Sequence, residues 1–262
     1  MARDNKSLKG QIEKLAVQES APKEASKLIQ KVEKVRTKQK SYIMDLRIHS
    51  PASLGYLGIE GIDTAPALVR LAQVKGLDLI AVTDYHSGTF IDRVKEAALQ
   101  SSVTVLPGTV LHTTVPGCSD VVICAIFPEN FGTKEVQAFL TELGVPKSAA
   151  GDKSFVVKQP FEHILAKIDE YSGVALPSRM DKTPYRMAIV PTLVEKYGFR
   201  AFDLAYADSV RYFKSRWPKI KFQLFSFSNA NALAQVGSRI AKVKLQDPGF
   251  AGVRELIGRC AD

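Results

Sequence analysis

Apolar and polar residues follow two alternating patterns along the chain from residue 41 onward. Short apolar or strictly alternating runs are typical of β-strands, and apolar residues recurring every three or four positions are typical of amphipathic helices. The predicted strands are Ile43–Ile48, Leu79–Thr83, Thr104–Leu106, Val121–Phe127, Gly173–Pro177, Ala201–Ala205 and Phe222–Phe227. The predicted helices are Ala65–Val74, Ile91–Leu99, Lys134–Leu143, Phe161–Tyr171, Arg186–Tyr197 and Ala232–Ala241. Repeated strand–helix units predict an α/β protein with a mostly parallel sheet, either doubly wound or closed into a barrel.

Residues 1–40 form a separate basic segment, and residues 41–262 are predicted to form the α/β domain. Residues 1–43 carry 11 lysines and arginines against 5 acids, and the remaining 219 residues carry 25 against 22. Helical spacing of apolar residues in two runs, separated by Ser20 and Pro22, predicts a helical extension with an apolar stripe. We expect this stripe to pack on the domain or on another copy. Binding to nucleic acid or to an anionic membrane is less favoured, because no aromatic residues are interleaved with the lysines for base stacking.

Composition excludes several classes of protein. No apolar run approaches the roughly 20 residues of a membrane span, and the charged N-terminus does not resemble a signal peptide, so a cytoplasmic protein is expected. Cys118, Cys124 and Cys260 show no pairing typical of disulfides or structural zinc. Neither a dinucleotide-binding glycine motif nor a P-loop is present. The segment 144–158 is rich in small and charged residues and predicts a mobile loop.

Polar residues collect where the predicted strands end. The relevant stretches read DLRIHS from Asp45, TDYH from Thr83, PGTV from Pro107, PSR from Pro177 and SNAN from Ser228. In order and framework this series resembles the PHP (polymerase and histidinol phosphatase) superfamily over nearly all of residues 42–245. The resemblance implies a distorted (β/α)7 TIM-like barrel. It also implies up to three metal ions and hydrolysis of phosphate esters by a metal-activated hydroxide.

Most of the metal ligands that the resemblance implies are replaced in this chain. His49 retains its ligand identity, and Asp84 stands in its expected motif. The replaced positions are Arg47, Tyr85, Val110, Val122, Arg179, Asn229 and Asn231. Guanidinium and amide groups cannot hold several cations, and loss of a bridging carboxylate at Val110 removes charge that brings two metals together. We therefore expect no cofactor and a catalytically degenerate protein that acts as a binding or regulatory module.

The replacements suggest an anion site. Arg47 and Arg179 follow two different strands whose ends face one cavity in this fold, and two planar donors suit a phosphate, sulfate or carboxylate. Asn229 and Asn231 are expected to add neutral hydrogen bonds. The alternative is that each arginine pairs with a local acid, such as Asp181, Asp203 or Asp208, and fills the space that metals occupy in the superfamily. The sequence leaves these two interpretations about even.

A relocated metal site is the second hypothesis. His49, Asp84, His86 and His112 are predicted to approach one another, because His112 follows Val110 by two residues on a strand. Together they would hold one zinc or manganese ion in a metal-dependent phosphoesterase. No serine nucleophile with a base is evident, since Ser50 directly follows His49 and adjacent strand residues face opposite ways. His163 has no comparable neighbours and is expected to be a surface or packing residue.

Overall fold

The computed structural model describes residues 39–260. Strands and helices alternate as far as β3 (Thr104–Val115), which is followed directly by another strand, β4 (Cys118–Ile126). The strands are β1 Lys40–Ile48, β2 Leu79–Tyr85, β3 Thr104–Val115, β4 Cys118–Ile126, β5 Val174–Pro177, β6 Ala201–Asp203, β7 Gln223–Phe225 and β8 Ala241–Leu245. The α-helices are α1 Thr64–Val74, α2 Ile91–Ala98, α3 Thr133–Glu142, α4 Phe161–Glu170, α5 Pro184–Met187, α6 Val190–Glu195, α7 Val210–Arg216 and α8 Phe250–Ile257. Short 3-10 helices lie at Lys147–Ala149, Ala207–Ser209 and Leu233–Gln235.

Six of the strands form one curled sheet in the order β5-β4-β3-β2-β1-β8, and β6 and β7 form a separate parallel pair. Single backbone bridges from Ser178 to Asp203 and from Ile48 to Ala230 place this pair beside β5 and β1. The protein is therefore a mixed α/β fold with a TIM-like, partly closed barrel wall. This confirms the predicted fold class at that level. The sheet is less regular than a (β/α)7 barrel, because β4 runs antiparallel to both β3 and β5.

Strand β3 is much longer than predicted and forms a hairpin with β4. The prediction ended this strand at Leu106, because Pro107 and Gly108 usually interrupt strands. In the structure both residues pair with β2 through Val82 and Thr83. A Cβ at Gly108 would lie 2.8 Å from the carbonyl oxygen of Ala125 on β4, so this glycine permits close approach of the two backbones.

The prediction of a helix at Ala232–Ala241 was wrong. Only Leu233–Gln235 is helical, as a 3-10 turn, and Ala241 begins β8, which pairs antiparallel with β1. The residues of β8 alternate between inward and solvent-facing positions, a period-two pattern that the helical prediction missed. The predicted helix Arg186–Tyr197 is also divided, since Pro191 stands in the first turn of a new helix, α6.

Apolar side chains fill the barrel below its polar end. Met44 and Leu46 of β1 and Leu106 of β3 belong to this inner cluster, and Phe250 and Val253 of α8 cover it at the base. A larger apolar cluster packs the helices against the outside of the sheet. The polar residues that follow the strands are therefore concentrated at the carboxyl ends, which positions a site there.

The predicted extension, residues 1–40, lies almost entirely outside the described residues, so its helical character and packing stay predictions. None of the helices within residues 39–260 has the length and apolar character that crossing a bilayer requires.

Candidate anion-binding site

A cavity of about 480 Å³ opens at the carboxyl ends of the strands. Arg47 and His49 both line it, so the two side chains share a face as the sequence predicts. Its wall contains five cationic side chains: Arg47, Lys153, Arg179, Lys182 and Arg186. No aspartate or glutamate of the described chain is among the lining residues. The cavity is therefore strongly electropositive before any partner outside the wall is considered.

The carboxylate of Asp203, behind the cavity wall, forms salt bridges with both Arg47 and Arg179. Oδ2 of Asp203 lies 3.4 Å from Nη1 of Arg47 and 3.8 Å from Nε of Arg179. Ser178 and the backbone amide of Phe227 also donate to Asp203, at 3.1 and 2.9 Å, which holds the carboxylate in place. The predicted alternative of local pairing thus occurs through Asp203. It is incomplete, because one negative charge faces two positive charges.

The two arginines retain unused hydrogen-bonding capacity. The Nε atoms of Arg47 and Arg179 are both buried without a hydrogen-bond partner among the described residues. Arg47 is only 2% exposed, so its remaining donors have access to little except the cavity. Arg179 donates from Nη2 to the carbonyl of Phe227 at 3.0 Å, which fixes its orientation. Buried donors without partners are costly, so these two atoms add to the cost of the incompletely balanced charge.

Asp181 and Asp208, the other predicted acids, do not neutralise the pair. Asp181 accepts from the backbone amides of Ala205 and Tyr206, at 2.7 and 2.9 Å, and from the hydroxyl of Ser209. Asp208 is exposed. Neither forms a salt bridge with Arg47 or Arg179 in the part of the chain that the structure describes.

Sequence reasoning missed three of the five cations. Arg186 makes a two-pronged ion pair with Asp120, at 2.6 and 2.7 Å, so its charge is balanced. Lys182 follows the predicted Arg179 motif by three residues, and that spacing was the available signal. Lys153 comes from the loop 144–158, whose position relative to the strand ends no local pattern reveals.

Backbone hydrogen bonds hold the loop that carries Lys153 against the strand ends. The amide of Gly151 donates to the carbonyl of Tyr85 at 2.7 Å, and the amide of Leu54 donates to the carbonyl of Gly151 at 2.9 Å. The amide of Val157 donates to His112 at 2.8 Å. The segment predicted as a mobile loop is thus tied to the site at several points.

Three residues at the site have left-handed backbone conformations. Their φ angles are 48° at His86, 55° at Arg179 and 50° at Asn229. Non-glycine residues adopt this region at a cost of about 1–3 kcal/mol, and such strain is concentrated at functional sites.

The two asparagines of the predicted anion site both line the cavity. Oδ1 of Asn229 lies 3.4 Å from Nε2 of His49. The four residues predicted to bind an anion therefore all border one space.

The four residues of the predicted relocated metal site are close together, but hydrogen bonds already occupy the side chains of His49, Asp84 and His86. Nε2 of His86 accepts from the backbone amide of His112 at 3.1 Å, and its Nδ1 donates to the carbonyl of Asp152 at 3.0 Å. Asp84 accepts from the hydroxyls of Ser50 and Ser53, at 2.5 and 2.6 Å. Within residues 39–260, no three His, Cys, Asp or Glu side chains are arranged to hold a metal ion.

The aromatic residue Tyr85 takes the space between two of these histidines. Its ring stacks on His49 with centroids 4.6 Å apart and meets the edge of His112 at 5.6 Å. Tyr85 stands where the superfamily pattern has a histidine, so the replacement fills the site with a ring instead of a ligand.

Both histidines that line the cavity are held neutral near pH 7. Burial, assisted by the positive charge of Arg47, lowers the pKa of His49 from 6.5 to about 3. Burial also lowers the pKa of His112 to about 4, assisted by the charge of Arg186. An anion in the cavity would therefore interact mainly with the arginines and lysines.

Comparison with known proteins gives fold relatives and no sequence relatives. No protein-family model matches the chain. No curated protein matches it either. Among solved structures, the lesion-specific endonuclease EndoQ of Pyrococcus furiosus is similar with a TM-score of 0.60 and 17% identity. That match covers 83% of this chain and 56% of the EndoQ chain, so this chain spans little more than half of that protein.

Two further structures match over nearly their whole length. A protein assigned as a metal-dependent phosphoesterase from Bifidobacterium adolescentis has a TM-score of 0.54 at 11% identity, covering 84% of this chain and 96% of that one. An amidohydrolase from Chromobacterium violaceum, with bound sulfate and no metal, has a TM-score of 0.55 at 15% identity, covering 84% and 98%. EndoQ and the phosphoesterase are of PHP type. The resemblance to the PHP superfamily is thus confirmed at the level of the fold.

Proposed function

We propose that this chain is a PHP-fold protein that binds a phosphate-like anion, without metal ions, between Arg47 and Arg179. The observation that carries the proposal is the sharing of Asp203. Two guanidinium groups converge on one buried carboxylate at 3.4 and 3.8 Å, which leaves one positive charge without a partner beside a cavity. A buried charge requires compensation, and a bound anion supplies it.

The geometry favours a tetrahedral oxyanion over a carboxylate. Two planar donors approaching from different strands, with Asn229 and Asn231 on the same wall, offer hydrogen bonds from several directions. Phosphate and sulfate have enough oxygens to accept from all of them, whereas a carboxylate has two.

In this proposal the chain is a binding or regulatory module that has exchanged the metal chemistry of its fold for anion recognition. Replacing an imidazole by a guanidinium group removes a metal ligand and adds a positive charge. The same substitutions would therefore both abolish cation binding and favour anion binding.

The alternative is a metal-dependent phosphoesterase with a single relocated ion, the activity assigned to one structure of the same fold. It would require His86 to release the amide of His112, to which its Nε2 is bonded at 3.1 Å. It would also place a cation near the two arginines. Neither requirement applies to the anion site, which uses the side chains as they stand.

Binding of duplex DNA with an abasic lesion is recorded for Endonuclease Q, a structure similar to this one with a TM-score of 0.56. That match covers 56% of its chain, and its identity to this chain is 15%. We do not extend DNA binding to this chain as the first proposal, because Arg47 is 2% exposed and an internal phosphodiester in a duplex would have difficulty reaching it.

Thermal unfolding in the presence of phosphate and sulfate tests the proposal, with chloride at equal ionic strength as the reference for screening. A ligand that binds only the folded chain raises the melting temperature by mass action. Arg179→Gln should abolish the phosphate-specific increase. Arg259→Gln is the matched control, because Arg259 has a similar side-chain exposure, 22% against 17%, and also pairs with one carboxylate. An equal phosphate response in wild type and both variants would refute the proposal.

A further inference from the structure

The positive charge of the cavity exceeds what a single phosphate needs. Of the five cations in the wall, Arg186 is balanced by Asp120, and Arg47 and Arg179 share Asp203. Lys153 and Lys182 form no salt bridge with any described residue. Five cations and two carboxylates leave three positive charges. One phosphate monoester carries about −1.5 to −2 near pH 7, whereas two carry about −3 to −4.

The cations also lie at two depths. Arg47 is 2% exposed and forms the floor of the cavity together with Arg179. Lys153 and Lys182 are both exposed residues and border the same cavity, so they lie at its mouth. They come from different segments, the loop 144–158 and the turn after β5. The site therefore has a deep cationic position and a separate outer one.

Neutral hydrogen-bonding groups line the same cavity. They are the hydroxyls and amides of Ser53, Tyr56, Ser154, Asn229 and Asn231. The hydroxyl of Tyr56 is buried without a hydrogen-bond partner among the described residues. Such a lining suits hydroxyl groups, which both donate and accept.

We infer that the ligand is a small polyhydroxylated molecule carrying two phosphate groups, such as a sugar bisphosphate. One terminal phosphate lies between Arg47 and Arg179, and the second is held at the mouth by Lys153 and Lys182. This inference rests on the proposed function, because it assumes the deep anion position and adds the outer one. The buried floor admits a terminal phosphate monoester, which projects from its molecule, more readily than an internal phosphodiester of a polymer.

A matched pair of probes isolates the second phosphate. Fructose 1,6-bisphosphate and fructose 6-phosphate differ by that group alone, and calorimetric titration at low and constant ionic strength gives the affinity of each. We expect the bisphosphate to bind at least tenfold more tightly to the wild-type chain. The double variant Lys153→Ala, Lys182→Ala should reduce this ratio to within about twofold, because the added affinity of the bisphosphate depends on these two lysines.

Lys214→Ala is the control, since Lys214 is exposed on α7 and does not line this cavity. Because the three lysines are exposed, none of the variants should impair folding. Equal affinity of the wild-type chain for the two sugars would overturn the inference and leave the proposed function standing, provided that both bind. If neither sugar nor inorganic phosphate binds, both proposals fail. Tighter binding of a 5′-phosphorylated oligonucleotide than of the bisphosphate would overturn the small-molecule inference in favour of nucleic-acid ends.

Discussion

Nη1 of Arg47 lies 3.4 Å from Oδ2 of Asp203, and Nε of Arg179 lies 3.8 Å from the same oxygen. Asp203 is fully buried, and it is the only described carboxylate that forms a salt bridge with either arginine. Two buried cations that share one carboxylate retain uncompensated positive charge, which is costly in a low-dielectric environment. This relationship is the physical basis of the proposed anion site.

Removal of the shared carboxylate should therefore make the fold depend on the ligand. Asp203→Asn leaves two buried guanidinium groups uncompensated, and breaking buried pairs of this kind costs roughly 3–5 kcal/mol. We expect a lower melting temperature than in wild type and a larger stabilisation by phosphate. Asp208→Asn, at an exposed position, serves as the control and should change neither. A phosphate response in Asp203→Asn no larger than in wild type would contradict the charge argument.

The pH dependence of stability should reflect His49. Its folded pKa of about 3 lies below the ordinary value of 6.5 because of burial and the nearby arginines. Between these values the unfolded chain binds a proton that the folded chain does not, so this stabilisation is complete above pH 6.5. It is lost on acidification, by up to about 1.4 kcal/mol per pH unit.

Asp45 acts in the opposite direction over part of this range. Burial raises its pKa from 3.8 to about 6, so the folded chain retains a proton between pH 6 and 4 that the unfolded chain releases. Urea unfolding of wild type and His49→Asn at pH 7.5 and 5.5 isolates the contribution of His49, because Asp45 is present in both proteins. His49→Asn should lose less stability on acidification than wild type, and identical losses would show that His49 is not the group responsible.

The sequence alone predicts which residues line the site better than it predicts their ion-pair and hydrogen-bond partners. The strand-end motifs identify Arg47, Arg179, Asn229 and Asn231, because strand periodicity and the superfamily pattern place them at one end of a barrel. The choice of Asp203 over Asp181 and Asp208 depends on tertiary geometry, and the sequence left those acids equivalent. The backbone hydrogen bond from Gly151 to Tyr85 holds the loop of Lys153 beside the cavity. It joins residues 66 positions apart, so no local sequence pattern indicates it.

The fold shows the same division between local and non-local information. Strands β1 and β2 and helices α1 and α4 match their predictions closely, because each has a strong local period. The hairpin of β3 with β4 was missed, because pairing with β2 and β4 outweighed the strand-breaking tendency of Pro107 and Gly108. Strand β8 was missed, because pairing with β1 outweighed the helical spacing of its apolar residues.

Metal content provides a further test. Seven ligand positions of the superfamily pattern are replaced, and both ring nitrogens of His86 are bonded to backbone groups. We expect protein purified without chelator to contain well below one equivalent of zinc, manganese or iron by elemental analysis. We also expect no hydrolysis of generic phosphate esters above a heat-inactivated control. Two or more bound metal ions per chain would contradict this expectation.

Deletion of residues 1–38 tests the predicted extension. If its apolar stripe packs on the domain or on another copy, the shortened chain should differ from the full chain in melting temperature or in molecular mass by light scattering. If the extension instead binds nucleic acid, the deletion should leave both quantities unchanged and abolish binding to DNA or RNA at low salt. We expect the first result.

The most direct test of the central claim is calorimetric titration of inorganic phosphate in the presence and absence of a metal chelator. The account predicts one binding site per chain, unaffected by the chelator and lost in Arg179→Gln. Binding that disappears with chelator and returns on addition of zinc or manganese would contradict it, because the anion would then be held by a metal ion instead of by Arg47 and Arg179.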